Sequence, residues 1–160
     1  MSSRRVVVTG IGTINPLGKT IQEYFKNLEE GVSGSAEITL FDSSKFRTHF
    51  ACEVKDYRPE EYFDTKQLRQ LDRFSQFALI AADEAMTDSA LNLEQVDLDR
   101  VGCIWGSGIG GLDTFYNEIR GYIEGDYTPR FSPFFIPRMI VDIAAGQIAM
   151  KYGLKGPNYC

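Results

Sequence analysis

The sequence concentrates glycines directly after a short apolar segment, in residues 105–112, WGSGIGGL. Gly106, Gly108 and Gly111 match the G-x-G-x-x-G spacing that holds the pyrophosphate of a dinucleotide at a helix amino terminus. Glycines at the carboxyl end of a strand also let the backbone adopt positive φ and let a ligand or another chain approach closely. A simpler interpretation is that they tighten the turn and pack the next helix close to the sheet. The spacing alone leaves these interpretations open.

The surrounding residues do not complete a dinucleotide site. The fingerprint requires a second strand that ends in an acidic residue about 20 positions further on. Residues 119–127 contain Glu124 but no β-branched run. A similar apolar start at residues 5–12, RVVVTGIG, leads to Pro16, which has no N–H to offer a phosphate. A dinucleotide-binding oxidoreductase is therefore only an alternative.

The remaining reactive side chains are few and widely spaced. The chain of 160 residues has three cysteines, Cys52, Cys103 and Cys160, and one histidine, His49. Such numbers are typical of reduced thiols rather than of a disulfide framework or a metal site. We expect Cys52 and Cys103 to be packing residues within strands, and Cys160 to have no catalytic role.

Composition limits the class of protein further. The hydrophobic fraction of 43% and charged fraction of 24% are ordinary for a globular domain. The net charge of −5 argues against general nucleic-acid binding. No run approaches the ~20 apolar residues of a membrane span, and the first residues do not read as a signal peptide, which predicts a cytoplasmic protein.

Strands and helices alternate around the glycine motif. We predict strands at residues 4–9, 50–54 and 101–105, and another that begins at Asn158. Predicted helices run from a capping box at Thr20 to Gly31, from Asp64 to about Asp88, from the glycine motif to about Glu124, and from Pro137 to Gly153. The strands are apolar throughout and residues 77–82 are apolar on every side of their helix. This pattern indicates a layered α/β domain with helices on both faces of a sheet.

Two groups of side chains stand out on these elements. Lys66, Arg69 and Arg73 are spaced three and four apart, which places them on one face of the helix from Asp64. Charge alone favours a solvated helix face for them. The loop before Pro137 carries three phenylalanines that we expect to pack on the core or on a second chain: Phe131, Phe134 and Phe135.

Four motifs together resemble a β-ketoacyl-acyl carrier protein synthase of the type II, elongating class. They are RVVVTGIG at residues 5–12, WGSGIGGL at 105–112, SPFFIP at 132–137 and YGLKGPNY at 152–159. Their order and spacing follow the family, and the resemblance covers essentially the whole chain. It implies a thiolase-like layered α/β/α/β/α fold, of which residues 1–160 supply most of the first half.

The resemblance also implies an activity and its partners. In this family a cysteine thiolate accepts an acyl chain, and a decarboxylated malonyl group attacks the thioester in a Claisen condensation. Substrates are carried on the phosphopantetheine of acyl carrier protein, no further cofactor is implied, and the enzyme is a homodimer. The family's nucleophile and two histidines follow the last motif and are not present here. We therefore expect the 160-residue chain alone to lack condensing activity.

The resemblance assigns roles to particular residues. Ile109, next to Gly108, matches the residue that gates the acyl pocket, and Phe135 matches an aromatic residue that reaches into the partner subunit's pocket. Lys66 and Arg69 match positions that contact acyl carrier protein. Gln70 replaces a basic residue often found there, and Arg73 is a candidate to compensate. A non-catalytic chain-length factor or a polyketide ketosynthase would share these motifs and is the main alternative.

Overall fold

The computed structural model describes residues 5–160, which divide into two compact units. The first unit comprises the chain up to Tyr57 together with Ile80–Ala90, and the second comprises Arg58–Leu79 and Leu91–Cys160. Each unit combines helices with a two-stranded sheet. Among the described residues, no helix has both the length and the apolar character needed to cross a membrane.

The first unit contains helix α1 (Ile21–Glu29) and the antiparallel strands β1 (Ala36–Glu37) and β2 (Phe50–Ala51). Thr20 caps α1 as predicted, because its hydroxyl accepts a hydrogen bond from the Glu23 N–H at 3.2 Å. The Glu23 carboxylate accepts from the Lys19 N–H instead of completing the predicted capping box at Thr20. Gly31 follows the helix with φ +67°, as expected of a terminating glycine.

The predicted first strand is wrong for the residues that the structure describes. Residues 5–9 form no strand, while Arg4 lies outside the described range. Val6 and Val8 are 93% and 80% exposed, because no neighbouring strand in the described chain pairs with this segment. Gly12, a little further along the chain, has a packing role. A Cβ on Gly12 would lie 2.1 Å from the carbonyl oxygen of Ala81, so this segment lies directly against a helix.

Strand β2 is shorter than predicted, and the expectation for Cys52 is wrong. Only Phe50 and Ala51 pair with β1, and Cys52 lies just beyond the last paired residue. Its side chain is exposed rather than buried. Two paired residues do not make a face that covers the next side chain.

The second unit contains most of the helices. They are α2 (Thr65–Gln70), α3 (Arg73–Ser89, shared with the first unit), α4 (Leu112–Glu124), α5 (Phe135–Met139) and α6 (Ile143–Tyr152). Strands β3 (Cys103–Ile104) and β4 (Asn158–Tyr159) pair in parallel, with Cys103 opposite Asn158. Strand β4 begins at the predicted residue, and β3 covers the centre of the predicted strand. Gly153 ends α6 with φ +66°, as predicted.

The predicted long helix from Asp64 to Asp88 is two helices. Asp64 and Gln67 form a reciprocal capping box at the start of α2, in line with the predicted start. The helix ends at Gln70 because Leu71 is extended, with φ −112° and ψ 127°. The carboxylate of Asp72 then accepts from the Phe74 N–H at 3.3 Å and starts α3. Within α3, Ala78, Leu79 and Ile80 are buried, which confirms the predicted burial of this helix.

The predicted helix from Pro137 to Gly153 is also divided. Helix α5 starts at Phe135, two residues before Pro137, and Ile140 is extended with ψ 141°. Ile140, predicted to face the core, is exposed, because it lies in the break between α5 and α6. Ala144 and Ile148 of α6 are buried, as predicted.

Candidate functional site

The glycine turn, residues 106–111, is held tightly at its carboxyl end. Gly110 has φ +81°, and a Cβ there would lie 2.4 Å from the carbonyl oxygen of Met139. The Gly111 N–H donates to that same oxygen at 2.9 Å. Side chains rarely adopt this backbone conformation, and the adjacent atoms belong to a backbone that cannot move aside cheaply. Gly110 and Gly111 therefore form a fixed half, packed on the end of α5.

The amino-terminal part of the turn is open. Among residues 5–160, a Cβ placed on Gly106 or Gly108 would meet no atom within 4 Å, and Ile109 is 67% exposed. One side-chain hydrogen bond crosses from this part to the fixed half, where the Ser107 hydroxyl accepts from the Gly110 N–H at 3.1 Å. Residues 106–109 therefore form an open half in which the backbone has room to move.

A buried carboxylate fixes the helix that follows the turn. Asp72 is only 4% exposed, and its Oδ2 accepts from the backbone N–H of Thr114 at 3.1 Å and from the Thr114 hydroxyl. Its Oδ1 accepts from the Phe74 N–H, so one carboxylate caps the first turns of both α3 and α4. A Cβ on Gly111 would lie 3.0 Å from this Oδ2. The sequence patterns did not predict the pairing of Asp72 with Thr114, although aspartate is a common helix-capping residue.

Phe135 belongs to a stack of aromatic rings. Its ring lies 5.6 Å from Phe131 at an interplanar angle of 19°, and 6.3 Å from Phe115 at 30°. Tyr122 in turn lies 5.4 Å from Phe131 and 5.5 Å from Tyr127. The expectation that the loop phenylalanines pack on something is confirmed for Phe131 and Phe135, which pack on rings of α4.

The prediction that the three basic residues share one helix face is wrong. Lys66 and Arg69 both lie on α2 and are exposed, one helical turn apart. Arg73 is the first residue of α3, beyond the break at Leu71. Its guanidinium lies 5.3 Å from the centre of the Phe77 ring, a cation–π distance. Of these three residues, Lys66 and Arg69 therefore form an exposed basic pair on one helix.

The reactive side chains form no centre of their own. Cys103 is half-buried in β3, as expected of a packing residue, and burial raises the pKa of its thiol. Cys160 is exposed, and its Sγ donates to the Val141 carbonyl at 3.4 Å. Across residues 5–160, no group of three histidine, cysteine or acidic side chains is placed to hold a metal ion.

The dinucleotide alternative fails on topology. Helix α4 is followed by an irregular loop and by α5 and α6, and residues 125–157 contain no strand. The fingerprint needs a strand soon after the helix, with an acidic residue at its end to bind the ribose. The glycine turn therefore lacks the second half of a nucleotide-binding unit.

Comparisons with known proteins agree on one family. Residues 3–160 match the family model described as "Beta-ketoacyl synthase, N-terminal domain". The chain is 41% identical over 157 residues to 3-oxoacyl-[acyl-carrier-protein] synthase 2 of Staphylococcus aureus strain COL. That alignment covers 98% of this chain and 37% of the relative.

Solved structures show the same fold. The ishigamide ketosynthase/chain length factor superposes with a TM-score of 0.87 at 26% identity, covering 98% of this chain and 39% of that one. A type II polyketide ketosynthase in complex with its acyl carrier protein superposes with a TM-score of 0.73 at 21% identity, over 93% of this chain and 39% of that one.

The chain therefore has the thiolase-like α/β fold of the ketosynthases, as the sequence predicted. It belongs to the β-ketoacyl synthase family. It spans little more than a third of the length of the relatives that it matches.

Proposed function

We propose that residues 1–160 are the amino-terminal part of a β-ketoacyl-acyl carrier protein synthase of the elongating type, which acts in the cytoplasm in fatty-acid synthesis. The observation that carries this proposal is the 41% identity to 3-oxoacyl-[acyl-carrier-protein] synthase 2 along 98% of the chain. The reaction is the decarboxylative Claisen condensation of an acyl thioester with malonyl-acyl carrier protein. The cysteine nucleophile and the histidines that stabilise the oxyanion come from the rest of the synthase.

In this proposal the glycine turn controls entry to the acyl pocket. Ile109 is the gate, and Gly108 supplies the backbone freedom for its movement. The open half supports this role, because Ile109 is exposed and no atom lies within 4 Å of a Cβ at Gly108. The fixed half joins the gate to the end of α5 and to the buried Asp72.

Phe135 is proposed to shape the acyl pocket of the partner subunit in a homodimer. Its ring contacts the rings of Phe131 and Phe115, and these two contacts limit its rotamers. A ring that is held in place before the subunits meet loses little entropy when it enters an apolar pocket. The homodimer is part of the same proposal.

The exposed pair Lys66 and Arg69 is proposed to receive acyl carrier protein, which presents the acyl group on its phosphopantetheine. An acidic partner needs a local basic patch on a chain of net charge −5, and this pair supplies one on α2. Arg73 lies on α3 over Phe77, so we give it a secondary role in this patch.

The central test is a condensation assay. We expect the complete synthase that carries residues 1–160 to form a 3-oxoacyl product and carbon dioxide from an acyl carrier substrate and malonyl carrier protein. Mass spectrometry of the carrier protein detects the two-carbon extension. A matched reaction without the malonyl substrate should show acylation of the enzyme but no extension. Failure to become acylated by any acyl carrier substrate would contradict the proposal.

The carrier surface has its own test. Lys66→Glu with Arg69→Glu should raise KM for acyl carrier protein about tenfold and leave kcat nearly unchanged, because exposed charges mainly steer encounter. The effect should shrink as salt rises, since charges are screened over ~10 Å at 0.1 M. Lys45→Glu with Arg47→Glu, also at two exposed residues, is the matched control for net charge. An equal loss with a small acyl thioester that lacks the carrier would refute the patch.

A second candidate is a chain-length factor or polyketide ketosynthase. The superposition on the ishigamide ketosynthase/chain length factor, with a TM-score of 0.87, favours this candidate. The condensing enzyme differs from a chain-length factor in the nucleophile, since a non-catalytic chain-length factor is not acylated. Acylation of the purified complete protein by acyl carrier substrates in the absence of a partner subunit would support the condensing enzyme.

A further inference from the structure

The proposed docking surface for acyl carrier protein on α2 and the buried carboxylate of Asp72 lie close together along the chain and in space. Helix α2, which carries Lys66 and Arg69, ends at Gln70, and the buried Asp72 follows two residues later. Leu71 between them is extended and only 4% exposed, so this link is packed on both sides. A displacement of α2 must therefore either compress this link or move Asp72.

Asp72 in turn touches the far end of the glycine turn. Its Oδ2 accepts two hydrogen bonds from Thr114, in the first turn of α4, and would lie 3.0 Å from a Cβ on Gly111. Because the carboxylate is buried, its charge-assisted hydrogen bonds are strong and little screened by solvent. The position of Asp72 therefore sets the position of the residues that follow the gate.

The glycine turn changes from packed to open between Gly110 and Ile109. Gly110 and Gly111 are packed against the Met139 carbonyl, whereas Gly106 to Ile109 have open space. A small displacement of the fixed half changes the direction in which the open half leaves it. Ile109 is the large side chain that the open half carries, and it is 67% exposed.

We propose that the hydrogen bonds from Thr114 to Asp72 couple the docking of acyl carrier protein on α2 to the opening of the gate at Ile109. Thr114 and Asp72 are positioning residues, which contact neither the substrate nor the nucleophile. This inference rests on the proposed function and adds that the carrier protein itself selects the open gate. A long acyl chain then enters only when its carrier is docked, while a short chain does not need the opening.

The test compares Thr114→Val with Thr114→Ser in the complete synthase. Valine keeps the branched shape and the backbone N–H but removes the hydroxyl donor, and serine retains the donor. Acylation is measured with short and long chains, each presented on acyl carrier protein and on a small pantetheine thioester. Loss of a hydrogen bond to a buried charge predicts an approximately tenfold lower kcat/KM for Thr114→Val with the long carrier-bound chain. The other three substrates should change less than about twofold, and Thr114→Ser should keep the wild-type pattern.

Several outcomes overturn the coupling. Equal losses with all four substrates, in proportion to a lower melting temperature, would show that Thr114 is a structural residue only. If Thr114→Val reacted with all four substrates at the wild-type rates, the Thr114 hydroxyl would have no role in the coupling. A cycle with Lys66→Glu adds a second check, because coupled residues give non-additive effects on the long carrier-bound substrate alone.

Amide hydrogen exchange of the wild-type synthase tests the same point without a variant. Docked unacylated carrier protein should change exchange in residues 106–109. Unchanged exchange there would refute the coupling even if Thr114→Val did not fold. A wild-type enzyme that accepts no acyl carrier substrate would instead refute the proposed function, so the two failures are distinguishable.

Discussion

The two halves of the glycine turn contain the same residue type for different physical reasons. In the fixed half, Gly110 has positive φ and the Met139 carbonyl occupies the space of a side chain. In the open half, no atom of the described residues lies within 4 Å of a Cβ placed on Gly106 or Gly108. A glycine that is needed for fit can be recognised by what a Cβ would strike. A glycine with nothing beside it points to movement or to a ligand, and this is the half that carries Ile109.

The largest effect should come from adding one methyl group to the fixed half. Gly110→Ala combines an unfavourable positive φ with a clash against backbone, so we expect a loss of about 3 kcal/mol or more in unfolding free energy. That corresponds to a lower melting temperature by about 6–12 °C. Gly108→Ala is the matched control and should change stability by less than about 0.5 kcal/mol. Similar melting temperatures for the two variants would remove the distinction between the halves.

A bulkier side chain in the open half should affect activity instead of stability. Because Ile109 is exposed, Ile109→Phe should leave the melting temperature of the 160-residue chain nearly unchanged. In the complete synthase, a crowded pocket costs about 1–3 kcal/mol, so acylation by long chains should fall roughly 5–150-fold while short chains react normally. Losses that are the same for every chain length and that follow stability would show Ile109 to be an ordinary packing residue.

The smallest effect concerns the bond between the halves. Ser107→Ala removes the acceptor for the Gly110 N–H, and we expect a loss of about 0.5–1.5 kcal/mol in unfolding free energy. Ser107→Thr retains the hydroxyl and serves as the control. If the two variants unfolded at the same temperature, the hydroxyl would have no role in holding the open half to the fixed one.

The features that could be predicted from sequence are those decided by a few adjacent residues. Thr20, Asp64 and Gly153 mark helix ends because a cap or a left-handed residue needs only its own neighbours. The family and its fold were also predicted, since four motifs in order carry more information than one glycine pattern.

The features that sequence could not give depend on distant partners. Asp72, in the break between α2 and α3, also accepts a hydrogen bond from Thr114, which is 42 residues away. The apolar run at Val6 to Val8 predicts a strand, yet a strand exists only where a neighbour pairs with it. The exposure of Cys52 follows from where the pairing of β2 stops. The division of the glycine turn into two halves depends on Met139, which no local pattern identifies.

The parallel pairing of β3 with β4 has a consequence for synthesis of the chain. Cys103 and Asn158 are opposite each other although roughly 55 residues separate them, and three helices lie between. At about 5–20 residues per second, a ribosome needs about 3–11 seconds to make that interval. During this time β3 has no partner from β4, whereas the backbone hydrogen bonds within α4, α5 and α6 join near neighbours and can form. Until β4 is made, the edge of β3 at Ile104 is therefore unpaired for seconds, and an unpaired strand edge in a partly folded chain is prone to aggregation.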